Sequence, residues 1–94
     1  MDDVERFIGD LDRLFAGNFD KDELRASARR ILAAFIGRAA VREDAYAPPA
    51  EIHRILGEGR RRLHALTFEG EAYYLRVELL TELDKAINEV RPRG

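Results

Sequence analysis

The chain has 94 residues, 46% of them hydrophobic and 36% charged, with a formal net charge of −2 and no cysteine, which fits one small soluble domain. Without cysteine there is no disulfide framework, no thiolate metal site and no thiol nucleophile. A monomer of this length buries only about 60 to 65% of its unfolded surface, so sharing a core with a second copy would relieve a marginal stability.

The chain lacks the run of about 20 apolar residues that a membrane span needs. It opens with Asp2 and Asp3 where a secretory signal would carry positive charge, so the cytoplasm is the expected location. Lys21 and Lys85 are the only lysines among 16 basic residues, and the rest are arginines. A GC-rich coding genome accounts for that bias, and selection for forked, bidentate contacts is the sharper reading.

Residues 1–90 read as a single domain of four helices, an all-α antiparallel bundle completed by dimerisation, with 91–94 as a flexible tail. The first helix covers about 3–16, where Val4, Phe7, Ile8, Leu11, Leu14 and Phe15 make one apolar stripe and Gly17 and Asn18 supply a left-handed stop. The second covers about 21–43. Asp20 and Glu23 form a capping box at its start, Phe19 and Leu24 a hydrophobic staple, and Leu24, Ala28, Ile31, Leu32, Phe35, Ile36 and Ala39 hold its inner face. Pro48 and Pro49 end any continuation, and Pro49 suits the first turn of a third helix over 49–66. Ile52, Ile55, Leu56, Leu63 and Leu66 are its stripe, while Gly57 and Gly59 weaken its middle by about 1 kcal/mol each and predict a kink or early end. Thr67 caps a fourth helix over 68–90 with a broad apolar face that includes Leu75, Leu79, Leu80, Leu83 and Ile87. A β-hairpin over 60–79 is the rival reading, disfavoured because the apolar stripe from Phe68 to Val90 keeps a helical period for six turns. At these bounds the second and fourth helices would each be about 35 Å long, and their ends would need another chain's surface.

Charge is sorted by helix. Met1 to Glu23 carries eight acids against three bases, Leu24 to Arg42 carries five arginines and no acid, Arg60 to Arg62 add a basic cluster, and Glu69 to Glu89 returns to six acids against two bases. Two readings follow. Acidic helices one and four pair with basic helices two and three, or Arg25, Arg29, Arg30, Arg60, Arg61 and Arg62 form a basic interaction face for phosphate or an acidic partner. No aromatic residues interleave with these arginines and the chain is acidic overall, so nucleic acid is not the favoured partner. Arg76 stands inside the apolar arc of the fourth helix with Glu69 seven residues before it. Together with Tyr73 at the core edge these are candidate residues for dimer register.

His53 and His64 lie about 16 Å apart along one helix, too far to share an ion, so neither a metal nor another cofactor is implied. Asn18, Asp20 and Asp22 imitate the start of a calcium loop, but Glu23 replaces the required Gly and Arg29 the twelfth-position Glu, so they read as a helix cap. The five residues from His53 to Gly57 resemble the H-x-x-K-G segment of histidine phosphotransfer domains, with Leu56 in the place of the cation. Leu66, Thr67, Phe68, Glu69 and Gly70 resemble the L-T-x-x-G step between wing and C-terminal helix in winged-helix regulators of the PadR and MarR kind. That resemblance covers about a fifth of the chain; it implies a dimeric DNA-binding regulator with Arg60 to Ala65 as a wing strand. No catalytic constellation emerges from the single serine, the acids or the glycines. The favoured function is therefore a non-catalytic helical module presenting one face to a protein partner, with the winged-helix regulator as the alternative.

Overall fold

A computed structural model describes residues 2–17, 19–42, 45–46, 48–66 and 72–90. Within them lie four α-helices, α1 (Asp3–Ala16), α2 (Lys21–Ala40), α3 (Pro49–Ala65) and α4 (Ala72–Glu89), and two short strands, β1 (Val41–Arg42) and β2 (Ala45–Tyr46). The fold is the expected small all-α bundle. No described helix is long and apolar enough to cross a membrane.

The first three helices start where local chemistry satisfies their free N–H groups. The Asp2 carboxylate accepts from Glu5 N–H at 2.8 Å and the Asp20 carboxylate from Glu23 N–H at 2.9 Å, as side-chain caps do. Pro48 has no side-chain cap to offer, but its carbonyl accepts from Glu51 and Ile52, and Pro49 has no N–H to satisfy. The stop at Gly17 differs from expectation. Its backbone is extended (φ −81°, ψ 172°), a conformation open to any residue, and the exposed Phe19 ring lies where a Cβ would project. Asn18 lies outside the described residues. Phe19 accordingly turns onto Gly17 and the outer side of α2, while Leu24 packs against the core.

One further boundary is corrected. Helix α2 stops at Ala40, not at 43, because the chain must reverse before α3. Val41, a β-branched residue, is extended, and Val41 and Arg42 pair antiparallel with Tyr46 and Ala45. Helix α4 is described from Ala72, and the region 67–71, with the Thr67 cap, lies outside the described residues. Helix α3 runs unbroken through Gly57 and Gly59, so neither the early end nor the 60–79 hairpin forms there. At 20, 17 and 18 residues, α2, α3 and α4 span about 30, 26 and 27 Å, so they match in length and the overhang expected of α2 disappears.

The helices occupy four corners. α1 packs on α2 and α3, α4 packs on α3 and α2, and α2 meets α3 across the diagonal. Ion-pair register sets their directions. Arg25 and Arg29 of α2 face Glu78 and Glu82 of α4 in the same order, so these two helices run parallel. Arg38 reaches back to Asp3, and Arg60 to Asp84, which makes α1 and α2, and α3 and α4, antiparallel hairpins. Consecutive helices are thus antiparallel, while the neighbours between hairpins are parallel.

Phe35 fills the diagonal. Its ring stacks on Phe7 with centroids 4.4 Å apart and planes 6° from parallel, and its far edge rests on Gly59 of α3. A Cβ at Gly59 would lie 2.5 Å from two ring atoms, closer than packed carbons approach. The glycine that local propensity marks as a weakness is therefore the seat of the central aromatic. Leu11, Leu56, Leu63, Leu79 and Leu83 complete a core that, among the described residues, buries no polar or charged side chain.

The two glycines of α3 should respond oppositely to one methyl group. Gly57 has open space where a Cβ would project, so Gly57→Ala is expected to stabilise the fold by up to about 1 kcal/mol through helix propensity. Gly59→Ala should destabilise it by about 1 to 2 kcal/mol, overpacking outweighing the same propensity gain. Urea denaturation followed by circular dichroism reads both. The Gly59→Ala loss should shrink in a Phe35→Leu background, and equal losses in both backgrounds would show that the ring does not set the tolerance.

Candidate protein-interaction site

The six arginines of the basic face separate in three dimensions. Arg25 Nη2 lies 2.8 Å from Glu78 Oε1 and Arg29 Nη2 lies 3.7 Å from Glu82 Oε1, both across the α2–α4 contact. Arg60 grips Asp84 with Nε at 2.5 Å and Nη2 at 3.4 Å across the α3–α4 contact. Half of the face is thus turned inward to the acids of α4. Arg30, Arg61 and Arg62 are exposed, and among the described residues none of them has an acid within ion-pair reach. Arg30 belongs to α2, and Arg61 and Arg62, being adjacent on α3, point about 100° apart, so the remaining cations do not converge.

The interhelical pairs are partly exposed, which limits each to a fraction of 1 kcal/mol. The Arg25 pair is also incomplete, since Glu78 Oε2 is buried with no hydrogen-bond partner. Their joint effect is one of arrangement. Acidic α1 and α4 sit at opposite corners, each bordered by basic α2 and α3, whereas a bundle wound in simple ring order would set the two acidic helices side by side.

Of the residues expected to set dimer register, Arg76 finds a partner within the chain. Its Nη2 donates to the His64 carbonyl at 2.7 Å, satisfying one of the free carbonyls in the last turn of α3 and placing positive charge at the negative end of that helix. Glu69 lies outside the described residues. Tyr73 is 56% exposed and meets Tyr74 edge to face, with centroids 6.1 Å apart.

Around Tyr73 the structure exposes an apolar patch that residue spacing did not single out as a site. Tyr74 is 67% and Val77 61% exposed, on the outward side of the first turns of α4, with half-buried Leu80 beside them. A signal was present in the sequence: Val77 falls off the inner stripe of Leu75, Leu79 and Leu83, four residues after Tyr73 and four before Thr81.

The other sequence-derived sites can be placed directly. His53 is half-buried and His64 exposed on α3, and Leu56, at the phosphotransfer cation position, is wholly buried in the core. Arg60 to Ala65, the wing strand implied by the winged-helix resemblance, is helical. Among the described residues, no group of three or more His, Cys, Asp or Glu side chains could hold a metal ion. Comparison of the chain with protein-family models, curated proteins and solved structures returns no match.

If Arg76 acts as an intrachain cap, Arg76→Leu should lower unfolding free energy by about 1 kcal/mol, the worth of one hydrogen bond and its dipole term. That loss should be the same at every protein concentration, whereas a residue setting dimer register would give a loss that changes with dilution. For the Arg60–Asp84 pair, a double-alanine cycle should give a coupling of at most about 1 kcal/mol, shrinking near 1 M salt where the screening length falls to about 3 Å.

Proposed function

We propose that this chain is a small, non-catalytic protein-interaction module that presents the outer face of α4 to another polypeptide. The observation that carries it is the exposure of Tyr73, Tyr74 and Val77 together; the other exposed large apolar side chains among the described residues, Phe19 and Val41, stand singly at the two ends of α2. Adjacent exposed aromatics are costly in water and common at protein interfaces, where a rigid ring contributes area with little loss of side-chain freedom. The sorted charges support the same reading, because half of the basic face is engaged in holding α4 in place. A homodimer through this face is its simplest form, and it suits a chain whose own core is small.

Replacing Tyr73 and Val77 together by serine tests the reading, because neither side chain contributes to the buried core. The variant is expected to keep wild-type helix content. Hydrogen exchange of wild-type protein at rising concentration, or with a captured partner, should show protection along α4 that the variant loses. Identical association and exchange in both proteins would end the proposal.

A further inference from the structure

From Ala72 to Asp84 no exposed position of α4 carries a charge. Arg76, Glu78, Glu82 and Asp84 are half-buried and tied to α3 or α2, while Tyr73, Tyr74, Val77 and Thr81 are exposed. The other helices turn charge outward, as at Asp12 of α1, Arg30 of α2 and Arg61 of α3. Tyr73, Val77, Thr81 and Lys85 stand four residues apart and form one ridge along the outward side of α4. The Thr81 hydroxyl donates to the Val77 carbonyl at 2.8 Å, so covering it orphans no donor. Lys85 is the single cation of the ridge, 67% exposed and 3.8 Å from the Glu82 carboxylate.

We infer that this ridge packs against the same ridge of a second copy, with the two α4 helices antiparallel and the two-fold axis passing between Val77 and Thr81. Resting on the protein-interaction reading, this names the partner as the chain itself. A two-fold contact sets a surface against its own reversal, so the first half of the ridge must complement the second. On reversal Val77 meets Thr81 of the partner subunit, and Tyr73 meets Lys85 of the partner subunit, aromatic face against cation. The two lysines then lie at opposite ends of the contact, about 18 Å apart along it. Parallel pairing would instead set each Lys85 beside its own counterpart. Ridges of this spacing interdigitate when helices cross at about 50°. The area agrees with a weak dimer: two tyrosines more than half open, with Val77, Thr81 and the Lys85 stem, offer on the order of 500 Å² per copy, near the low end of specific interfaces. A different polypeptide would need an aromatic level with Lys85 and a cation level with Tyr73, and a second copy supplies both at the required spacing. A nucleic acid or an anionic membrane would need several cations on the face, and the ridge supplies Lys85 alone.

The chain has no cysteine, so an engineered one reports a single position. Oxidising an equimolar mixture of Val77→Cys and isotope-labelled Thr81→Cys chains should give the mixed disulfide in at least about fivefold excess over the like-with-like products, because that pair comes within disulfide reach. Mass spectrometry reads the products. Asp12→Cys, on the helix at the opposite corner, should not cross-link above the collisional level. Sedimentation equilibrium of the wild-type chain should show a dimer that dissociates on dilution through the micromolar range. Lys85→Gln should raise its Kd by about fivefold, since two symmetric contacts are lost, and Val77→Asp should abolish it by setting two acids near the axis. Circular dichroism confirms the fold of each variant, and Val77→Ser replaces Val77→Asp if the latter loses helix. An excess of like-with-like disulfides, in a dimer that Val77→Asp dissociates, overturns the antiparallel pairing and leaves the interaction reading standing. A wild-type monomer at about 1 mM overturns the self-pairing. In that case protection of α4 by a captured partner in hydrogen exchange leaves the interaction reading standing, and absence of protection ends both. A dimer that Val77→Asp leaves intact ends both as well.

Discussion

The Phe35 ring, stacked on Phe7 and seated on Gly59, is the contact around which the bundle is organised. It belongs to α2 but reaches across the diagonal, touching α1 on one side and the backbone of α3 on the other. Only a residue without a side chain lets α3 come that close. By drawing α2 and α3 together, the ring leaves α1 and α4 at the outer corners. α4 is then gripped along the flanks facing α2 and α3, and its outward arc stays open to solvent. The exposed face on which the functional proposal stands is thus a consequence of one aromatic at the centre.

Electrostatics selects among arrangements that the core would tolerate. Individually the interhelical pairs are weak, being partly exposed and screened. Collectively they distinguish the observed corners from a simple ring, in which acidic α1 and α4 would repel one another along their length. Basic α2 and α3 meet across the diagonal through Phe35 and Gly59, an apolar contact that keeps their arginines on the flanks where acids await them. The net charge of −2 conceals this, because it is the sum of blocks whose pairing is the message. The arginines that remain unpaired are informative for the same reason. Among the described residues Arg30, Arg54, Arg61 and Arg62 have no acid within ion-pair reach and stand exposed on α2 and α3.

Much of the architecture is legible in local chemistry. The stripe of α1 and the cap at Asp20 depend on residues within one or two turns, and these elements stand where periodicity and capping put them. Boundaries that depend on distant groups are not legible. The end of α2 is set by the need to reverse before α3, and the tolerance of α3 for Gly59 is set by a ring 24 positions earlier in the chain. By local pattern Gly17 reads as a left-handed stop, because glycine commonly serves that role, yet its backbone is extended, with the Phe19 ring lying over it. Arg76 reads as a charge that snorkels to an acid or fixes dimer register, and its partner is a carbonyl at the end of the preceding helix.

What the sequence determined by itself is a four-helix, cysteine-free domain with electrostatically sorted helices, because helical period, capping and charge are properties of neighbouring residues. The tertiary structure alone decided which helices lie side by side, which arginines are already paired, and that Tyr73, Tyr74 and Val77 face outward. Those outcomes turn on how closely α2 and α3 approach, a distance governed by one ring and one missing Cβ that no local pattern connects.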